Sequence, residues 1–371
     1  MQPKKINSLV RWWVTPKLPP EDIFASHNFV SQWLTHPIKR RLARWYLKLL
    51  QKNTKIKVIG ITGSAGKTTT KEMLASILKL DGITVYTPKN VDSIYSIPNT
   101  ILATPVWTKY LILEMGVEYK GEMDFYLWLA KPDIGLITNI FPTHTQFLGN
   151  IDGVFKEKSK LVFGLPKEGL AVLNSADAKL KNLSNKLNSK IIWFAHDINP
   201  LKQNANAASA LAKNLGIKDE KIEKGLTEYK KPVHRLQIIN HASGAMILDD
   251  SYNSNPGAAF STLAYFNNIA KGEKIAVLGD MLELGELDES AHRKLGRLVA
   301  ESNFKIVIGV GKSSKFLIEE INKYSKNTKT YLFAKKEDAI PVIKQELKKG
   351  VSLLVKGSRS IGLDKLVDAL T

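Results

Sequence analysis

The segment Gly60-Ile61-Thr62-Gly63-Ser64-Ala65-Gly66-Lys67-Thr68-Thr69-Thr70 restricts this chain more than any other stretch. The apolar run Lys57-Val58-Ile59-Gly60-Ile61-Thr62 leads into it, and a helical pattern over residues 67–80 leaves it. A buried strand that turns through glycines straight into a helix is the start of a βα unit, and such units build sheets with helices on their faces. The glycines allow a tight turn in which several N–H groups point at one phosphate, and the helix N-terminus adds partial positive charge there. In that arrangement Gly63, Ser64, Ala65, Gly66 and Thr69 form the cradle. Lys67 reaches the β- and γ-phosphates, and Thr68 offers its hydroxyl to magnesium. The strict spacing of such loops requires glycine at position 61, where this chain has Ile61, so the loop is a shortened variant. A glycine turn that binds nothing is the alternative, and Gly-Lys-Thr between strand and helix argues against it. The loop specifies a nucleoside triphosphate site and no particular reaction.

Beyond this loop, strand-like and helix-like stretches alternate. Strands are expected over residues 110–115, 133–140, 170–174 and 190–194, with helices over 121–130 and 153–163. After Pro232 a second series has strands over 245–250, 274–278, 305–310, 331–333 and 352–355, and helices over 258–269 and 290–302. The pattern predicts an α/β protein: a central P-loop ATPase domain with a mostly parallel sheet over residues 55–232, and a C-terminal Rossmann-like α/β domain over 233–371.

Residues 1–54 differ. They hold Trp12, Trp13, Trp33 and Trp45, four of the seven tryptophans, and Pro16, Pro19 and Pro20 interrupt their early part. From Ile38 the pattern turns helical, with Ile38, Leu42, Trp45 and Leu49 on one face and Lys39, Arg40, Arg41, Arg44 and Lys48 over most of the rest. Two readings of residues 38–52 stand: peripheral contact with an anionic membrane, or packing against the following domain. The chain has 371 residues, a formal charge of +19 and no cysteine. The charge favours anionic partners. Apart from this first segment, no basic run interleaved with aromatics and no RNA-binding signature accompanies it, so nucleic acid is not an expected partner. No stretch approaches the about 18 apolar residues of a membrane span. A cytoplasmic, monomeric enzyme is the expectation.

Other residues carry chemistry by position. Glu114 closes the apolar run Leu111-Ile112-Leu113, where a carboxylate at a strand's C-terminal end can hold a hard cation or simply face solvent. His144 follows the strand at 133–140 in the same way, and a lone histidine is more often structural. Lys158, among Lys156, Glu157 and Lys160, reads as part of a solvated charge face.

The motifs together resemble the Mur ligase family. They are Thr62 through Met73, Leu113-Glu114-Met115-Gly116, Ile137-Thr138-Asn139-Ile140 with His144, and Gly153 through Lys158. Then come Asp249-Asp250-Ser251-Tyr252-Asn253-Ser254-Asn255-Pro256, Leu278-Gly279-Asp280-Met281-Leu282-Glu283-Leu284-Gly285 and Val355-Lys356-Gly357-Ser358-Arg359. The Asp-Ser-Tyr-Asn and Gly-Asp-Met-Leu-Glu-Leu-Gly segments resemble the branch that adds D-alanyl-D-alanine to a UDP-N-acetylmuramoyl-tripeptide. The resemblance implies that ATP and two magnesium ions serve the reaction, with Thr68, Glu114 and His144 as metal ligands. It implies that Lys158 is carbamylated and supports the second ion. It places Asn206 near adenine, Arg235 on nucleotide phosphate and Asp250 near the ribose. Tyr252 and Asn253 face the incoming amine, and Asp280 and Lys356 contribute more weakly. Helix capping is the other reading of Asp280, and a solvent-facing charge that of Lys356.

The implied reaction joins a nucleotide-sugar peptide, through its carboxylate, to a dipeptide amine by way of an acyl phosphate. Lys67, Lys158, His144 and Asn253 sit in the catalytic constellation, and the two α/β domains close over the substrates. Two departures bear on the substrate. Only residues 1–54 precede the ATP domain, too few and too basic for the family's usual UDP-binding domain. The central domain crosses from 195 to 206 with a short connection where relatives have several strands. A Mur-type ligase for another carboxylate, including a lipid-linked one, therefore remains open, as does a nucleotide-binding regulatory protein without catalysis. A nucleic-acid-dependent ATPase rests on net charge alone.

Overall fold

The computed structural model describes residues 12–13, 31–88 and 91–371. The proline-interrupted stretch at Pro16, Pro19 and Pro20 lies outside the described residues. The chain divides into two compact units. The first comprises Met1–Ile140, Phe147–His196 and Lys202–Lys230; the second comprises Phe141–Gln146, Asp197–Leu201 and Lys231–Thr371.

In the first unit a six-stranded sheet has the order β2-β3-β1-β4-β5-β6. Its strands are β1 (Lys57–Thr62), β2 (Thr84–Tyr86), β3 (Tyr110–Glu114), β4 (Ile134–Ile137), β5 (Leu170–Asn174) and β6 (Lys190–Phe194). All pairs are parallel. β1 lies at the centre because Val58, Ile59 and Ile61 are all buried, as expected of a strand covered on both faces. Its neighbours are β3 and β4, and β2 lies beyond β3. The chain therefore leaves β1 toward one edge and returns past it toward the other. The carboxyl ends of β1, β3 and β4 flank a topological switch point, the place where α/β sheets bind ligands. The register sets Ile61 beside Glu114 and Thr62 beside Ile137, so the residues after β3 and β4 border the glycine loop.

Helix α1 (His36–Asn53) precedes β1, and α2 (Lys67–Lys79) leaves the glycine loop. Next come α3 (Ser93–Leu102), α4 (Glu122–Leu129), α5 (Ile151–Phe163) and α6 (Pro200–Asn214). The starts of α3 and α5 are fixed by side-chain caps: Asp92 accepts from Ile94 N–H, and Asn150 from Asp152 and Gly153 N–H. Neither β2 nor α3 is predicted from sequence. β2 has three half-buried residues, and Pro98 inside α3 reads as a break.

Helix α1 packs against the following domain, one of its two expected settings, and does so with the side opposite its apolar stripe. Its buried residues are Pro37, Arg40, Ala43, Leu47 and Leu50. Ala43, Leu47 and Leu50 belong to the core that holds Val58 and Leu111. The Arg40 guanidinium lies 5.4 Å from the Phe125 ring centroid, and that of Arg44 4.9 Å from Trp128. Ile38, Leu42, Trp45 and Leu49 face outward. The helix packs against the sheet unit with the side that carries Arg40, and its apolar stripe faces away from it.

In the second unit the sheet order is β11-β10-β9-β12-β8-β7. The strands are β7 (Gln237–Asn240), β8 (Met246–Asp250), β9 (Glu273–Gly279), β10 (Ile306–Val310), β11 (Lys329–Phe333) and β12 (Val351–Lys356). Only β7, at one edge, is antiparallel. It is unpredicted from sequence because its four residues alternate half-buried and exposed and carry little apolar signal. Helices α7 (Pro256–Ile269), α8 (Asp288–Ala300) and α9 (Ser314–Tyr324) cover one core around Phe266 and Leu317.

Truncation of the two sides of α1 separates their roles. Leu47→Ala should destabilise the first unit by about 2–4 kcal/mol in urea unfolding, whereas Leu42→Ala should change it by less than about 0.5 kcal/mol. Equal effects would contradict the orientation of the helix.

Candidate active site

The loop after β1 is built as a cradle. Gly63 has φ 144° and Gly66 φ 80°. A Cβ on Gly63 would sit 1.9 Å from Thr138 Oγ1, and one on Gly66 2.3 Å from Asn204 Oδ1. Glycine is thus required by conformation and by space. Residues after β4 hold the loop: Ser64 N–H donates to the Asn139 carbonyl (3.0 Å), and Ala65 N–H to Asn139 Oδ1 (2.8 Å). Thr138 Oγ1 and Asn139 Nδ2 both donate to the Ala65 carbonyl. Lys67 Nζ folds back to the Gly63 carbonyl at 2.9 Å. No side chain caps α2, so its first-turn N–H groups are presented as an anion site.

Beside this loop lies a buried polar cluster. Glu114 Oε1 accepts from Thr68 Oγ1 at 2.8 Å, and Oε2 lies 3.3 Å from Lys71 Nζ. Lys71 is fully buried; it also donates to the Thr87 carbonyl at 2.7 Å and pairs with Glu72 at 3.3 Å. The Glu114 backbone is pinned as well: its N–H donates to Thr87 Oγ1, and its carbonyl accepts from Ser93 Oγ. A buried ammonium requires such partners. Lys71, Asn139, Ser93 and Asn204 are parts of the site that sequence reasoning did not single out. Lys71 stands one helical turn past Lys67, a spacing that reads as a surface row.

Among the described residues, no three His, Cys, Asp or Glu side chains converge as a metal cage. Magnesium in phosphoryl-transfer sites needs only one or two protein oxygens, with phosphates and water completing the shell. The adjacent oxygens of Thr68 and Glu114 fit that role.

Lys158 overturns its sequence reading as a solvated charge. It is fully buried on α5, together with Glu157 and Ser159, and its Nζ has no hydrogen-bond partner among the described residues. Burial, then the nearby Lys67 charge, pushes its pKa down to about 7, against the opposing pull of Glu122, Glu157 and Glu118. Glu157 can be buried because it accepts from Gly121 and Met123 N–H at the start of α4 and pairs with Lys160. Composition alone carries no sign of these partners.

In the second unit, Asp250 at the end of β8 accepts from Leu236 N–H, Thr262 Oγ1 and Lys356 Nζ. Lys356 is buried, which excludes the solvent-facing reading, and it also donates to the Asn253 carbonyl. The guanidinium carbons of Arg235 and Arg359 lie 4.0 and 4.7 Å from the Tyr252 ring centroid, giving one positive patch beside that ring. Asn253 is exposed. Asp280 is buried and caps α9, accepting from Ser313 N–H, Ser314 N–H and Ser314 Oγ. The turn Gly311-Lys312-Ser313-Ser314 imitates a phosphate loop, and this carboxylate already fills its slot.

His144 also belongs to this unit, with φ 51° and its Nδ1 against Glu283 Oε2. That bond holds the Glu283 carboxyl below the usual range. The structure therefore gathers Gly63–Thr69, Glu114 and Lys158 in the first unit, and His144, Arg235, Asp250 and Asn253 in the second. Asn206 donates to the Ala195 carbonyl, and the residue of α6 that meets the loop is Asn204.

Comparison with known proteins agrees with this architecture. Residues 61–233 match the Mur ligase middle domain, and residues 234–359 match the Mur ligase glutamate ligase domain. The UDP-N-acetylmuramoyl-tripeptide–D-alanyl-D-alanine ligase of Bacillus subtilis strain 168 is 31% identical, over 97% of this chain and 84% of the relative. This alignment reaches into the residues ahead of Lys55. The same-named ligase of Escherichia coli K12 is 29% identical over 89% of this chain and 79% of the relative. A crystal structure of MurF from Acinetobacter baumannii superposes with a TM-score of 0.79 at 27% identity, covering 91% of this chain and 80% of that one. The chain belongs to the Mur ligase family, in the branch of the UDP-N-acetylmuramoyl-tripeptide–D-alanyl-D-alanine ligases.

Proposed function

We propose that this chain is an ATP-dependent carboxylate–amine ligase that adds D-alanyl-D-alanine to a UDP-N-acetylmuramoyl-peptide during cell-wall precursor synthesis in the cytoplasm. The observation that carries the reading is the Thr68–Glu114 hydrogen bond beside the Lys67 loop, with Lys71 buried behind it. A substrate carboxylate oxygen attacks the γ-phosphorus, the bond to the β–γ bridging oxygen breaks, and ADP leaves with that electron pair. The amine then attacks the acyl carbon, the carbon–oxygen bond to phosphate breaks, and the amine loses a proton to solvent.

The chain's part is positioning and charge neutralisation. Lys67 and the α2 N-terminus hold the phosphates. Thr68 and Glu114 would hold magnesium, His144 is the ligand that the family motif adds, and Lys71 fixes the Glu114 carboxylate. Magnesium, when bound, offsets the charge that develops on the transferring phosphoryl group. By the family pattern Asn206 would serve adenine, Arg235 nucleotide phosphate and Asp250 ribose, and Asn253 would orient the amine. A second ion would be held through Lys158: with its pKa near 7, the neutral amine can add carbon dioxide and lose a proton to solvent, and the resulting carbamate would supply an oxygen ligand. The enzyme works as a monomer, at or near the inner face of the membrane. The outward apolar face of α1 gives weight to a second reading, the same chemistry on a lipid-linked carboxylate.

Phosphate release with UDP-N-acetylmuramoyl-tripeptide plus D-alanyl-D-alanine tests the reading. Release that requires both substrates is the expected result. Release only with a lipid-linked acceptor would favour the second reading, and none with any pair would defeat both. Lys67→Ala should lower turnover by at least about 10²-fold.

Lys158 gives a separate prediction. Its folded pKa lies near 7 against an ordinary value of 10.5, so between those pH values the unfolded chain binds more protons at this residue. The contribution of the lysine to stability therefore rises with pH across that window, and its penalty is fullest below it. In carbon dioxide-free buffer, Lys158→Met should raise the unfolding temperature relative to the parent most at the acid end, with the gain shrinking toward the alkaline end. A gain independent of pH would contradict the buried, depressed amine.

A further inference from the structure

Helix α1 is apolar on two opposite sides. One side, with Ala43, Leu47 and Leu50, is in the core of the first unit. On the other, Ile38, Leu42, Trp45 and Leu49 are 42%, 51%, 61% and 36% exposed. At about 100° per residue these four fall within an arc of about 60°, centred opposite the buried side. Leu34, in the turn that leads into the helix, is 53% exposed as well. A stripe of this size is not accounted for by the helix's own packing.

Its borders are basic. Lys39, Lys48 and Lys52 are exposed, and α1 contains no acidic residue. No acidic residue occurs anywhere between Asp22 and Glu72. On one border the Arg41 guanidinium lies 5.5 Å from the ring centroid of Trp12, itself exposed. On the other, Tyr46 donates to the Thr104 carbonyl, and the loop that follows displays Val106 and Trp107. The C-terminal end of α1 leads into the start of β1, whose other end carries the phosphate loop.

We infer that this face is a docking surface for an anionic lipid bilayer. An apolar stripe of leucine, isoleucine and tryptophan flanked by lysines is suited to the boundary between acyl chains and headgroups, where indole rings partition and ammonium groups meet lipid phosphate. Charge complementarity selects the lipid surface over a second copy of this chain, because two such faces would bring like charges together. The apolar residues supply the insertion, and the lysines supply the preference for anionic headgroups. The inference concerns a surface distinct from the ligase site, so loss of one leaves the other standing.

The test is flotation of the full chain with vesicles. The expected result is binding to phosphatidylcholine vesicles containing about one-third phosphatidylglycerol, little binding to pure phosphatidylcholine, and weakening by added salt. Leu42→Gln combined with Trp45→Gln should reduce the bound fraction about ten-fold or more. Lys39→Gln, Lys48→Gln and Lys52→Gln together should remove the preference for phosphatidylglycerol. Far-ultraviolet circular dichroism and ATP-dependent ligation in solution report that both variants are folded. The inference is overturned if the parent chain stays unbound with anionic vesicles, or if parent and Leu42/Trp45 variant bind alike. It is also overturned if the parent forms a dimer that the same variant abolishes without any vesicle binding, which would make a second copy the occupant.

Discussion

The first unit depends on one buried arrangement, the Lys71 ammonium held between Glu72, Glu114 and the Thr87 carbonyl. A charge removed from water is tolerated only with such partners. Meeting that requirement ties α2, the end of β3 and the residues after β2 to one point. The same point aims Glu114 at Thr68, so the demand for charge satisfaction in the core also sets the geometry of that pair of oxygens. The glycine loop is held from the other side by Thr138 and Asn139. Strand order alone, with β1 between β3 and β4, puts these two supports on either side of the loop.

The second unit spends its charges differently. Asp250, Lys356 and Asp280 all engage partners of their own unit: Asp250 and Lys356 each other, and Asp280 the start of α9. These contacts fix the loops at the carboxyl ends of β8, β9 and β12. They leave Tyr252, Asn253, Arg235 and Arg359 as the side chains displayed there. A turn that resembles a phosphate loop is already closed by the Asp280 carboxylate, so that among the described residues the Gly63–Thr68 loop alone is left as a cradle of this kind for an external anion.

Much of this was legible in sequence for a physical reason. The glycine loop demands φ values and close approaches that few residues satisfy, so its pattern is narrow, and alternating strands and helices announce a parallel sheet. Glu114 was legible because it ends an apolar run. Lys158 was not, since burial of a lysine depends on neighbours such as Glu118, Glu122 and Glu157 that only the fold assembles. Which face of α1 packs inward is not legible, because periodicity finds an apolar stripe without saying what covers it. The side that packs inward hides its character behind Arg40, whose guanidinium rests near Phe125. The motif points to Asn206 and not to Asn204, two positions away on the same helix, because the approach of Asn204 to Gly66 exists only after the loop has turned.

The central claim is that a carboxylate is phosphorylated on the Gly63–Thr68 loop before any amine reacts. Positional isotope exchange measures this step directly, using ATP labelled with oxygen-18 in the β–γ bridge and the UDP-sugar tripeptide without D-alanyl-D-alanine. Label should move from the bridge into the β-nonbridging positions only when the carboxylate substrate is present. Amide formation in the full reaction, with no such scrambling in the absence of amine and with ADP shown free to rotate in its site, would contradict the account.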